Sequence, residues 1–182
     1  MKKILIGISS PTNAVARNAA STITEHYNIE HINMRQPVLD MLAALTGIHS
    51  TELEHDTPQT MLIENLGTTI ADAEASLAFN LRAMNKTFFI KRAESAIKQS
   101  ACTMHAQIFN GHLVSGIKTE MEAEWLRSAG GLLIHLCHYD NKTPIHFLNK
   151  HPDDLSIPLG INTTGADIKA ILPNLTNQKQ AA

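Results

Sequence analysis

Short apolar runs alternate with long helical stretches along this chain, and nothing else in it constrains the fold as strongly. Residues 3–8, Lys-Ile-Leu-Ile-Gly-Ile, are almost wholly apolar, as a strand buried on both faces would be. Ser9 to Asn13 is polar and contains Pro11, which predicts a loop. Ala14 to His26 is alanine-rich and can bury Ala14, Val15, Ala19 and Ile23 along one stripe, which predicts a helix. Strand, short loop and helix open a βαβ unit. Ile29 to Met34 reads as a second strand, and Pro37 to Leu45 as a helix that Gly47 closes. Residues 48–57 read as a loop, and Pro58 as the start of a helix through Leu66. Ile70 to Ile97 is helical, with a break at Asn85-Lys86; Ala101 to Phe109 continues as helix, with Gly111 as its stop. His112 to Ile117 is a strand, Glu120 to Ala129 a helix ended by Gly130-Gly131, and Leu132 to Cys137 a very apolar strand. Residues 139–158 hold three prolines and read as a long, lid-like loop. Leu159 to Asn162 reads as a last strand, Gly165 to Leu172 as a last helix, and residues 177–182 as a frayed polar tail.

Strands alternating with helices predict a three-layer α/β sandwich with a mainly parallel sheet of about five strands. The first strand should be central and lead into Ser9–Asn13 at the edge where such sheets bind ligands. The 182 residues fit one domain, placed at 1–176, and can bury a core without staples. Hydrophobic residues make up 43% and charged residues 18%, a globular balance. The formal charge of −2 predicts neither a nucleic-acid partner nor an anionic membrane surface. No apolar run is long enough to cross a bilayer, and the first apolar run is too short for a signal-peptide core. Cys102 and Cys137 stand alone, as reduced thiols of a cytoplasmic protein would. The ten histidines form no HxxxH or HExxH pair, so no metal site is expected.

Three stretches resemble the bacteriophage-type deoxynucleoside monophosphate kinases, which have a P-loop nucleoside-kinase fold. One runs from Leu113 to Leu136: Leu-Val-Ser-Gly-Ile-Lys, then Glu122-Ala-Glu-Trp-Leu-Arg-Ser-Ala-Gly-Gly131, then Leu-Leu-Ile-His-Leu. The second is Leu159-Gly-Ile-Asn-Thr-Thr-Gly165 with Ala166-Asp-Ile168; the third is Gln36-Pro-Val-Leu-Asp-Met-Leu42, with Leu66-Gly-Thr68 further on. The resemblance implies a homodimer that binds ATP, Mg²⁺ and a deoxynucleotide. Its phosphate-binding residues are replaced. Gly7 to Val15 occupies the place of GxxxxGK[ST], but only Gly7 survives; Thr12, Asn13 and Ala14 replace the second glycine, the lysine and the hydroxyl residue. Those groups wrap the phosphates, neutralise their charge and hold Mg²⁺. The family's Asp-x-Arg appears as Gly116-Ile117-Lys118, where lysine offers no planar fork to a phosphate. Basic residues expected before Leu-Gly-Thr appear as Thr60-Met61.

The candidate site residues follow. Gly7, Ser9, Ser10, Thr12 and Asn13 stand where phosphate would bind, although capping the helix is the simpler reading. Lys118 is the remaining candidate catalytic cation, against the equally plain reading of a solvated lysine at a strand end. Arg82 and Arg92, with Lys91, are candidate lid-like groups, against the plainer reading of a solvated helix face. Glu122 and Glu124 read as a helix face, Phe88-Phe89 as core, His135 and His138 as structural histidines, and Trp125 as partly buried. Three functions compete. The first is a degenerate kinase-like module that binds a nucleotide or a protein without normal phosphotransfer, with no certain cofactor. The second is an active kinase using ATP and Mg²⁺ through an atypical loop. The third is a flavodoxin-like FMN-binding reductase, because Lys3 to Asn13 also resembles the first strand and Ser/Thr/Asn-rich phosphate loop of those proteins.

Overall fold

The computed structural model describes residues 3–10, 12–55, 58–102, 108–138, 148 and 151–159. Its main sheet has five strands: β1 (Ile4–Ser9), β2 (Glu30–Asn33), β5 (Gly111–Ser115), β6 (Leu132–His138) and β7 (Leu155–Leu159). Every pairing within it is parallel, and the order is β2-β5-β1-β6-β7. β1 is therefore central, as the sequence predicts. Six α-helices are present among the described residues: α1 (Asn13–Tyr27), α2 (Gln36–Thr46), α3 (Ser50–His55), α4 (Ile70–Met84), α5 (Phe88–Cys102) and α6 (Glu120–Ser128).

Side chains alternate across the pleat and so serve two cores. Ile6, Ile8, Leu113, Ile134, Leu136 and Ile157 face one side, where Ala19, Ala20 and Ile23 of α1 cover them. Val114 and Leu133 face the other side, under residues of α2, α4, α5 and α6. The sheet is thus covered on both faces, which gives three layers. Counting the five strands in chain order, the arrangement is 2-3-1-4-5. Flavodoxin-like sheets run 2-1-3-4-5. β1 here sits between the third and fourth strands rather than between the second and third, and this overturns the flavodoxin-like reading.

Other expectations also need correction. Residues 50–55 form α3 rather than loop, anchored by the fully buried Leu53. Pro58 to Leu66 is not a helix. Leu62–Ile63 (β3) and Thr68–Thr69 (β4) make a two-residue antiparallel ribbon around a 3-10 turn, and Ile63 is its buried anchor. Gly111 opens β5 instead of ending a helix. β7 begins inside the stretch read as a loop and reaches Leu159, the first residue of the predicted last strand, whose residues 160–162 lie outside the described residues; its Ile157 is buried against β6. The predicted last helix and tail lie outside the described residues, as do residues 103–107 of the predicted 101–109 helix. The break at Asn85-Lys86 separates α4 from α5 as expected, and Gly47 closes α2. Among the described residues no helix is long and apolar enough to cross a membrane.

Asp154 ties β7 to the rest of the sheet. Its carboxylate accepts from Arg127 Nε at 3.0 Å and Nη2 at 2.6 Å, from His135 Nε2 at 2.9 Å and from the His151 N–H at 3.0 Å. Burial by itself would raise the Asp154 carboxyl, but these hydrogen bonds and the Arg127 charge outweigh it and lower its pKa from 3.8 to about 2. A carboxyl depressed in the folded state contributes stability above its unfolded pKa and loses it as pH falls through the folded value. Thermal melts should therefore show about 2 kcal/mol of stability disappearing between about pH 4 and pH 2 from this residue, and Asp154→Asn should flatten that part of the profile. An unchanged slope in the variant would refute the assignment.

Candidate functional site

The carboxyl ends of β1, β5 and β2 meet at one edge of the sheet. β1 ends at Ser9, and only Ser10, Pro11 and Thr12 separate it from α1. Thr12 adopts an extended conformation (φ −124°, ψ 149°), and its Oγ1 accepts the Val15 N–H at 3.4 Å, so it caps α1. Ser10 is buried and donates its hydroxyl to the Thr12 carbonyl at 2.9 Å. β2 is followed by Met34 and Arg35. The Arg35 N–H donates to Asn33 Oδ1 at 2.9 Å, which fixes the turn into α2. β5 is followed by Gly116, whose φ of 87° lies in the left-handed region and suits glycine. That turn delivers Ile117 to the core and Lys118 to the sheet edge.

α4 crosses above this edge and lays Glu74, Ala75, Ala78, Phe79 and Arg82 along a cleft of about 420 Å³. Met34, Val38 and Phe89 complete its apolar wall, while Arg35, Glu74, Arg82 and Lys118 supply its charge. Three basic groups against one acid thus line the cleft in a chain whose net charge is −2. Arg35 donates to both Glu74 oxygens at 2.6 Å through Nε and Nη2. Arg82 stacks 4.5 Å over the Phe89 ring, and its Nε donates to Glu122 Oε1 at 3.0 Å. Each guanidinium carries five N–H donors, so Nη1 of each is not used by these carboxylates. Lys118 Nζ donates to the Ser10 carbonyl at 2.6 Å. Burial, reinforced by the Arg35 and Arg82 charges, lowers the Lys118 pKa; Glu74 and Glu122 oppose that shift without cancelling it.

A second, water-sized recess of about 10 Å³ adjoins the cleft and shares Asn13, Arg35, Gly116 and Lys118 with it. His31 Nε2 stands 2.7 Å from Ser115 Oγ at its wall, and Arg17 donates to the Glu54 carbonyl. Burial lowers the His31 pKa, with Glu54 opposing it.

Of the residues singled out from sequence, Asn13, Arg82 and Lys118 meet in the cleft, with Ser10 beside them in the recess. Thr12 is occupied by its cap. Ser9 is the buried last residue of β1. Gly7 does not reach the cleft: it lies inside β1, and a Cβ there would overlap the Leu126 and Ile117 side chains. A larger residue there would have to displace the ends of these two side chains, so the close packing of β1 against Leu126 and Ile117 accounts for a glycine without a phosphate loop. Arg92 is exposed and borders a separate groove along the edge strand β2. Glu122 is a larger departure. The sequence places it on a helix face with Glu124, but only Glu124 is exposed, whereas Glu122 is fully buried. The pattern Thr119-x-x-Glu122 is a capping box, and it was legible in the sequence. Arg35 and Glu74 were missed altogether. A basic residue directly after a strand and before Gln36-Pro37 is the signal that points to Arg35. Phe89 is buried, Trp125 partly buried and His135 hydrogen-bonded, as expected; the His138 side chain lies outside the described residues. Among the described residues no cluster of three or more His, Cys, Asp and Glu side chains could hold a metal ion.

No family model matches the chain, and no curated protein matches it. Among solved structures, the chain is similar to an unliganded sugar kinase from a Janibacter species, with a TM-score of 0.42 and 11% identity over 94% of each chain. A likeness that weak carries no conclusion about activity, and the site has to be read from its own geometry.

Proposed function

We propose that the protein is a degenerate relative of deoxynucleoside monophosphate kinases that binds a phosphorylated nucleotide without normal phosphotransfer. The observation that carries this reading is the contrast between the cleft and the β1–α1 turn. The cleft gathers Arg35, Arg82 and Lys118 beside an apolar wall, a combination suited to a phosphate joined to a flat, weakly polar base. The turn is three residues long, and one of them is proline, which has no backbone N–H to offer. It cannot wrap a triphosphate as a GxxxxGK[ST] loop does. One observation favours the alternative of an active kinase: Lys118 Nζ reaches the turn from β5 and brings a cation to the place where the α1 lysine is missing.

Calorimetry with each of the four dNMPs tests the reading. Binding is expected for at least one of them. Arg35→Lys should weaken it about tenfold, because the charge remains but an ammonium cannot keep the two-point pair with Glu74 and still present a fixed donor to the phosphate. No heat with any dNMP up to millimolar concentration would refute the reading.

A further inference from the structure

We propose that Lys118 is an imine-forming amine, and that the cleft presents it to small aldehydes that carry a phosphate. The inference shares with the proposed function the premise that the cleft holds a phosphate, but it concerns covalent chemistry that a nucleotide-binding module does not need.

The first support is placement. Lys118 borders both the cleft and the recess, so it stands where the two cavities adjoin. The turn at Gly116 holds it there, and its backbone N–H is fixed by Glu122 Oε2 at 2.8 Å. The second is its partner. The hydrogen bond from Nζ goes to the neutral Ser10 carbonyl, whereas both neighbouring arginines are matched to carboxylates, Arg35 to Glu74 and Arg82 to Glu122. A carbonyl oxygen orients the amine without supplying the counter-charge that would hold it as an ammonium. The third is the company of those arginines. Each retains donors for an anion, so an aldehyde tethered to a phosphate can be held with its carbonyl carbon near Nζ. Burial and the two guanidinium charges also lower the Lys118 pKa, which enlarges the fraction of nucleophilic amine.

The step balances without a redox partner. The lone pair of the neutral Nζ amine adds to the aldehyde carbon, a C–N bond forms as the C=O π bond breaks, and one amine proton passes to the carbonyl oxygen to give a carbinolamine. The C–O bond then breaks and the hydroxyl leaves as water with the second amine proton, while the nitrogen lone pair closes the C=N imine. Lysines activated by burial and by a neighbouring cation are the ones that carry such chemistry.

Pyridoxal 5′-phosphate and pyridoxal, an aldehyde with and without the phosphate, are suitable probes. Each is incubated with the full chain, reduced with borohydride, and the labelled peptides are mapped by mass. Label from the phosphorylated probe is expected at Lys118 about tenfold above that at Lys86, Lys91 or Lys98, three exposed lysines of the same chain that serve as internal controls. Inorganic phosphate should protect Lys118, pyridoxal should label it far less, and Lys118→Met should lose the label while its melting curve stays that of a folded protein. Label spread evenly over the lysines, or equal labelling by pyridoxal, would overturn the proposal. Should Lys118→Met fail to fold, the wild-type comparison of the two probes still decides. Selective labelling without dNMP binding would leave this inference standing and sink the nucleotide reading. Binding of a dNMP without selective labelling would do the reverse.

Discussion

With ATP, Mg²⁺ and any of the four dNMPs, the protein is expected to turn over below about 0.01 per second, against the ~1–100 per second usual for kinases. Phosphoryl transfer asks little covalent work of a protein. It asks for cations and donors fixed around the transferring group before the reaction begins. On the proposed kinase reading, Asn13 opens α1 where that family's lysine would stand and Ala14 takes the place of its metal-binding hydroxyl, while the turn before them is only three residues long. Loss of one preorganised donor typically costs about 2.7–4 kcal/mol of transition-state stabilisation, and several are missing. Lys118 does not make good the deficit. Its Nζ is bonded to the Ser10 carbonyl, and its environment disfavours the charged form that a transferring phosphoryl group needs. A coupled assay of ADP formation measures this directly. Turnover near one per second would mean that Lys118 leaves Ser10 and works as the phosphate lysine, which is the active-kinase alternative.

Much of the sheet was legible because its strands are buried on both faces. Such strands are written as apolar runs, and residues 4–9, 111–115 and 132–138 fall where the runs are. β7 was not legible. Only Ile157 among its residues with a described side chain is fully buried, and prolines on either side of it mimic a loop. The segment from Ser50 to Thr69 failed for the opposite reason. It holds one buried side chain in α3 and one in β3, too few to impress a period of either 3.6 or 2 on the sequence. What fixes it is tertiary, such as the backbone bonds from Ile70 and Ala71 back to Met61 and Gln59.

The site was legible only in part, because a sequence lists charged residues without saying which of them meet. Arg82 and Arg92 lie ten positions apart on neighbouring helices and look equivalent. α4 turns the first into the cleft over Phe89, while α5 leaves the second in solvent. Glu74 looks like any helix-face acid until Arg35, 39 positions earlier, is found gripping it. Gly7 misled in the other direction. A glycine at the end of an apolar run suggests a phosphate loop, yet close packing under the Leu126 and Ile117 side chains also favours a glycine there.

Glu122 lies behind the cleft and joins it to the fold through Arg82 and the Lys118 N–H, and its removal should have a larger effect on stability than any single change among the cleft's own residues. Its side chain is 1% exposed, and it serves two structures at once. Oε2 accepts the N–H groups of Lys118 at 2.8 Å and Thr119 at 3.1 Å, while Thr119 Oγ1 accepts the Glu122 N–H at 3.4 Å, closing the capping box of α6. Oε1 accepts Arg82 Nε at 3.0 Å and faces Nη2 at 2.9 Å. Glu122→Ala would leave two backbone donors unsatisfied and strand the Arg82 charge against Phe89. Breaking a buried pair from one side costs about 3–5 kcal/mol, a large share of the ~5–15 kcal/mol that holds a typical domain together. Glu122→Gln should cost less, because it keeps one acceptor, but its amide turns a donor toward either Arg82 or the α6 N-terminus. Adding Arg82→Met to Glu122→Ala should recover part of the loss, since the stranded charge is gone and the new side chain can still cover Phe89. Urea unfolding of the wild type, Glu122→Ala, Glu122→Gln, Arg82→Met and the double variant measures these differences and the independent cost of Arg82→Met. If Glu122→Ala costs less than about 1 kcal/mol, or if the second substitution adds its full independent cost, then Glu122 is not the joint between α6 and α4. Where the single variant still folds, dNMP binding should fall with it, because the carboxylate that orients Arg82 also fixes the backbone from which Lys118 enters the cleft.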